Sequence, residues 1–207
     1  MRENIDNKSL IKERILKKAD LLFSAYGIKN ITMDEIASSL GISKRTLYEV
    51  VKDKEDLLLA CIERSQNEMH EYVDGVLEKT SNVIEVIVLC YKATIKKYHK
   101  VNILFFEDIK KYPKAYERFL NGQKEDSQKS IDFFMRGVSQ GLFRADVNFE
   151  IVHLLVKEQM NVLLDTKVNK KYSMTLIYES IVFTFLRGVS TPKGYSELDK
   201  FIRECKI

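Results

Sequence analysis

The sequence predicts an all-α protein. Apolar residues recur at three- and four-residue spacing along nearly the whole chain, no run alternates apolar and polar residues as a strand would, and only eight glycines and two prolines interrupt 207 residues. Hydrophobic content of 45% and charged content of 31% fit a globular chain long enough for one large core, or for a small module joined to a larger one. The net charge of +4 is mild, so the placement of lysine and arginine carries more information than their total.

Ile11, Ile15, Ala19, Leu22 and Phe23 share one helical face, and Gly27 follows as a stop, which places the first helix at about residues 9–26. Thr32 and Glu35 form a T-x-x-E capping box, with Ile31 and Ile36 at hydrophobic-staple positions, so a second helix covers "MDEIASSL" and ends at Gly41. Ser43 can cap a third helix over "KRTLYEVV", and Asp53 a fourth that begins at Lys54 and passes residue 70. Further helical patterns are "VIEVIVLCYKATIKKY", "ILFFEDIKKY", one long segment from Pro113 to about Gln140, and two strongly apolar segments near 149–165 and 173–189. Gly141 is a stop, and Asp146 or Asn148 in "GLFRADVN" caps the helix after it. A composition shift near residue 55 divides the chain into residues 1–55 and 56–207.

The break at Gly41 has a geometric reading. Two short helices crossing steeply need a small residue where they approach, a turn residue tolerant of positive φ, and apolar residues that lock the pair onto a third helix. Ala37 and Gly41 meet the first two needs; Ile36, Leu40, Ile42, Leu47 and Val50 meet the third. Lys44, Arg45, Tyr48, Glu49 and Lys52 are left on the outer side, with Thr46 beside them. Such a face suits a DNA major groove, where Arg and Lys read guanine edges and hydroxyls reach phosphates. Scattered Lys and Glu also occur on any solvated helix, and it is their combination with the buried positions and caps that favours DNA.

Over residues 10–58, "ILKKADLLFSAYGIKN" followed by "ITMDEIASSLGISKRTLYEVVKDKEDLL" resembles the DNA-binding module of the TetR family of bacterial transcriptional regulators. The resemblance implies a homodimer with an N-terminal three-helix DNA-binding domain, residues 1–55, and a helical ligand-binding and dimerisation domain, residues 56–207. It places Thr32, Ser43, Tyr48 and Lys54 at phosphates and Lys44, Arg45 and Thr46 at base edges. Val50 and Val51 stand where many relatives carry a bulky aromatic. The expected partners are a double-stranded palindromic operator and a small apolar effector that releases it, although an activator would carry the same motif.

The segments near 149–165 and 173–189 are apolar around most of their circumference, which suits one face on the subunit's own core and the other on a second subunit. A central helix inside a monomer is the alternative. Tyr91, Phe105, Phe106, Ile109, Phe133 and Phe134 are candidates to line an effector pocket, each of them equally able to serve as core.

No Walker loop, dinucleotide fingerprint, HExxH or nucleophile elbow occurs, and His70, His99 and His153 lie far apart, so neither catalysis nor a cofactor is expected. Cys61, Cys90 and Cys205 have no CxxC spacing, which suggests neither zinc nor a disulfide framework and fits a reducing cytoplasm. The charged N-terminus lacks a signal-peptide core, and Glu179 and Arg187 interrupt the most apolar stretch, so no membrane association is expected. The rival from another class is a helical carrier or enzyme whose first 55 residues dock protein rather than DNA.

Overall fold

A computed structural model describes residues 2–121, 127–164 and 166–205. Among the described residues the chain forms α-helices and two short 3₁₀ segments, with one isolated bridge between Phe143 and Ser190. Packing separates it into two compact units, one built from residues up to Glu68 together with a segment from Lys100, the other from Met69–His99 and the C-terminal remainder. These units follow packing, whereas the expected division at residue 55 was drawn from composition.

The first unit begins with α1, Arg2–Tyr26, which starts earlier than the expected residue 9. Residues 2–8 hold no glycine or proline, so no helix breaker lies before residue 9. Helix α2, Met33–Leu40, carries the full capping box at Thr32 and ends at Gly41 with φ +66°. Helix α3, Lys44–Tyr48, is capped by Ser43 and is shorter than the "KRTLYEVV" expected of it. Its exit tightens as the N–H groups of Val50 and Val51 both donate to the Leu47 carbonyl, each at 3.1 Å. This last turn leaves Val50 half-buried and sends Val51, 3% exposed, into the core, correcting the assignment of Val50 as a fully inward residue. Leu40 and Ile42 are also only half-buried, while Ile36 and Leu47 are completely enclosed.

Helix α4, Lys54–Leu77, starts where Asp53 accepts from the Asp56 N–H at 2.8 Å. Ile15, Ala19 and Phe23 of α1 and Leu57 and Leu58 of α4 are fully buried in this unit, each larger side chain contributing roughly 1.5–3 kcal/mol. Arg64 of α4 ties the helices together through Glu13 at 2.9 Å and a second ion pair to Glu68. The unit also contains α6, Ile103–Asp108, a 3₁₀ turn at Ile109–Lys111, and α7, Pro113–Asn121. Gly27, at φ +83°, lets α6 approach the end of α1: a Cβ there would lie 2.8 Å from that of Leu104. The Asp108 carboxylate, only 7% exposed, accepts from the Lys29 N–H at 2.8 Å and so fastens α6 to the turn before α2.

The second unit holds the rest of α4, α5 at Val83–Tyr98, α8 at Ser127–Ser139, α9 at Phe149–Met160, a 3₁₀ turn at Asn161–Leu164, and α10 at Thr166–Lys171. It ends with α11, Met174–Val189, and α12, Pro192–Cys205. The long segment expected from Pro113 to about Gln140 contains α7 and α8, and residues 122–126 between them lie outside the described residues. Asn148 caps α9 by accepting from the N–H groups of Glu150 and Ile151, both at 3.1 Å, while Asp146 instead pairs with Arg144. Helix α12 had no counterpart among the expected elements. It closes the core with Leu198 and is held at its start by Thr191, whose N–H donates to the Leu142 carbonyl at 3.0 Å.

Candidate nucleic-acid interface

Local sequence builds the interface by satisfying helix ends. The Glu35 carboxylate accepts from the Thr32 N–H at 2.6 Å and from its hydroxyl at 2.9 Å, while the Thr32 hydroxyl accepts from the Glu35 N–H at 3.1 Å. Those bonds, the backbone one first, hold the Glu35 carboxyl below its ordinary range. At α3 the Ser43 hydroxyl accepts from the Thr46 N–H at 3.0 Å and lies 2.8 Å from the Thr46 hydroxyl. Both helix starts are therefore fixed before any ligand arrives, and α3 is aimed by the left-handed turn at Gly41.

Lys44, Arg45 and Tyr48 are exposed together on α3, with Thr46 half-buried beside them. Their cations are not idle. The Lys44 ammonium lies 2.8 Å from the Asp34 carboxylate of α2, which pushes Lys44 above its ordinary value. Arg45, its side chain 89% exposed, pairs with Glu49 one turn later at 3.2 Å. Asp34 was missed by sequence reasoning, because its contact with Lys44 depends on the angle between α2 and α3 rather than on a helical spacing. Glu49 was read only as an outer-face residue, although its i,i+4 spacing from Arg45 is the one that allows a helical ion pair.

Lys54 opens α4 with its ammonium 5.9 Å from the centre of the Phe23 ring. Burial lowers its proton affinity, opposed by the carboxylates of Asp108 and Glu35. A cation there, beside the N–H groups of the first turn of α4, is chemically suited to a phosphate. Thr32, Ser43, Tyr48 and Lys54 thus lie at the ends of α2, α3 and α4, around the three consecutive residues Lys44, Arg45 and Thr46.

Residues 15–61 match the family model described as bacterial regulatory proteins of the tetR family. The N-terminal region of the chain is thus similar to the DNA-binding region of the TetR family. Among TetR-type relatives, the transcriptional repressor KstR2 of Mycolicibacterium smegmatis is 21% identical over 152 residues, covering 71% of this chain and 74% of its own. A helix-turn-helix transcriptional regulator of Staphylococcus aureus is 23% identical over 171 residues, covering 74% of this chain and 90% of its own. Among solved structures, the fatty acid degradation regulator FadR from Bacillus halodurans superposes with a TM-score of 0.63 at 17% identity, over 84% of this chain and 94% of that one. The ketosteroid regulator KstR2 of Mycobacterium tuberculosis does so with a TM-score of 0.53 at 16% identity, over 87% and 95%. The matched residues contain the helix-turn-helix, with α3 as its second helix, and the structural likeness extends the shared fold over most of the chain.

The six aromatic and aliphatic residues considered for an effector pocket are divided between the two units. Phe105, Phe106 and Ile109 are buried in the first, where both phenylalanines contact the Phe119 ring. Tyr91, Phe133 and Phe134 gather in the core of the second, with Tyr91 stacked on Tyr178 at 5.9 Å. A cavity of about 640 Å³ in that unit lies instead along α11 and α12, lined by Leu176, Phe183, Ile202, Glu179, Arg187 and Arg203 among others. No described helix is long and apolar enough to cross a membrane, and no described cluster of His, Cys, Asp or Glu has the arrangement of a metal site.

Proposed function

We propose that the protein is a cytoplasmic repressor, a homodimer that binds a palindromic operator and leaves it when a small apolar effector binds. Two capped helices joined at a left-handed glycine, with Lys44, Arg45 and Tyr48 turned outward, carry the DNA reading. In it residues 1–55 are the DNA-binding module, with Lys44, Arg45 and Thr46 at base edges and Thr32, Ser43, Tyr48 and Lys54 at phosphates. Residues 56–207 bind effector and form the dimer, with Tyr91, Phe133 and Phe134 the candidates that already share one core. Repression and an apolar effector are supported by the relatives' names, which pair the fold with fatty acid and ketosteroid control. Dimerisation is supported by the apolar side chains that α9 and α11 leave in solvent: Ile151, Leu154, Leu155 and Leu176.

The test is selection of bound sequences from a random DNA pool by purified protein at fixed salt, followed by titration of two mutants on the selected and random duplexes. Arg45→Ala should cost roughly 1–3 kcal/mol on the operator, with a smaller loss on random DNA and relaxed preference at one base pair per half-site. Lys54→Ala should weaken both duplexes by similar factors and lower the salt slope by about 0.9 for each phosphate that is no longer neutralised. Failure to enrich any sequence would refute the regulator reading. Equal losses for Arg45→Ala on both DNAs would move Arg45 to the backbone.

A further inference from the structure

The segment after α6 carries Lys110, Lys111 and Lys114, all exposed, in the run "IKKYPK" with no acidic residue inside it. Although far from the helix-turn-helix in sequence, this turn belongs to the same compact unit. Its attachment is specific: the Lys114 N–H donates to the Glu55 carboxylate at 2.9 Å, and Glu55 is the residue after Lys54 on α4. The ammonium of Lys111, 61% exposed, lies 3.8 Å from Asp108, which in turn accepts from the Lys29 N–H at 2.8 Å. The turn is thus fastened both to the first turn of α4, through Glu55, and to the turn before α2, through Asp108.

The carboxylates in this cluster are directed at backbone donors. Glu55 takes the Lys114 N–H, Asp108 that of Lys29, Asp56 that of Lys52 at 2.9 Å, and Asp53 that of Asp56 at 2.8 Å. Held this way the carboxylates stay close to the backbone; Lys111 also lies 3.8 Å from Asp108, a loose pair that a phosphate can displace. The outcome is a rim of exposed lysines beside the first turn of α4, where Lys54 lies. A duplex offers such a rim one phosphate per strand at every base step, extending past the base pairs α3 can reach.

We propose that the turn bearing Lys110, Lys111 and Lys114 is an additional duplex-binding surface, which grips the phosphates flanking the half-site read by α3. The proposal rests on the regulator reading and widens its footprint. The contact adds affinity without sequence preference, so it matters only on DNA that continues beyond the half-site.

The experiment compares the full-length wild type with Lys111→Gln/Lys114→Gln on the selected operator, once trimmed to its two half-sites and once extended by ten base pairs on each side. Glutamine keeps the Lys114 N–H that meets Glu55. On the extended duplex the double variant should lower the slope of log affinity against log salt by about 3.6 for a dimer, from two phosphates per subunit at about 0.9 each. On the trimmed duplex the two proteins should bind alike, which also shows that the variant is folded. Arg45→Ala on both duplexes reports on the underlying reading. If operator binding depends on Arg45 but the extended-duplex slope is unchanged by the lysine substitutions, the flanking contact is overturned alone. If the wild type binds neither duplex, both proposals fall together.

Discussion

Gly194 provides a stability test in which local propensity and packing predict opposite signs. It occupies the third position of α12, where alanine would ordinarily favour the helix by about 1 kcal/mol. A Cβ on Gly194, however, would lie 2.0 Å from the Leu142 carbonyl oxygen and 2.9 Å from its carbon, atoms of backbone that cannot rotate away. Relief requires α12 to back off, which strains the packing by roughly 1–3 kcal/mol. It also endangers the bond from the Thr191 N–H to the same carbonyl, about 1 kcal/mol more. Set against propensity, Gly194→Ala should be destabilising by about 1–3 kcal/mol, a fall in Tm of roughly 3–10 °C for a chain of this size. Gly75→Ala is the matched control, since nothing lies within 4 Å of a Cβ in that part of α4, and it should raise stability by about 0.5–1 kcal/mol. Thermal unfolding followed by circular dichroism, at one protein concentration because association would shift Tm, measures both. A Gly194→Ala protein as stable as wild type would show that the close approach of α12 to Leu142 is absent in solution.

Three further outcomes are expected. Leu154, 60% exposed on α9, should be covered by a second subunit, so Leu154→Asp should turn a dimer into a monomer in sedimentation; a wild type already monomeric at micromolar concentration would remove the basis for a palindromic operator. The Cys61 thiol is buried, and burial pushes its proton affinity up, so peptide mapping after iodoacetamide treatment of native protein should find it unmodified; fast labelling would mean that α1 and α4 open readily. Asp34→Asn and Glu49→Gln free the cations of α3, so together they should raise affinity for random DNA severalfold and narrow the margin favouring the operator. Unchanged affinity for random DNA would refute a discriminating role for the two carboxylates.

What was legible in the sequence was whatever is decided within about four residues. Thr32 with Glu35, Ser43 with Thr46, and Asp53 with Asp56 all close hydrogen bonds across a single turn, and the two stops at Gly27 and Gly41 follow from glycine's freedom at positive φ. The end of α3 was less legible because Val50 and Val51 are chemically alike, and only the tightened turn decides which one enters the core. Helix α12 escaped notice for a different reason: its apolar positions Leu198, Phe201 and Ile202 are diluted by charges, and its start depends on Thr191 bonding to Gly141 and Leu142 some fifty residues earlier. The pocket candidates shared aromatic composition, which cannot tell that Phe105 and Phe106 pack in one unit and Phe133 and Phe134 in the other.

The candidate interface shows the same boundary between local and long-range information, with a functional consequence. From sequence, Lys44 and Arg45 are simply two cations on an outward face; in the fold each already has a carboxylate, at 2.8 and 3.2 Å. Exposed pairs of this kind are weak and screened by salt, so the dense charge of a duplex can displace them. In the proposed complex the carboxylates would remain beside the groove after displacement, repelling phosphates wherever the base edges give Lys44 and Arg45 nothing in return. In the proposed complex, bidentate contacts to guanine would replace the two ion pairs on the right sequence, while on the wrong one the cations would exchange a fitted partner for a diffuse one. If α3 reads the operator as proposed, Asp34 and Glu49 should therefore act on the difference between operator and random DNA, which is measured by titrating both duplexes at the same salt.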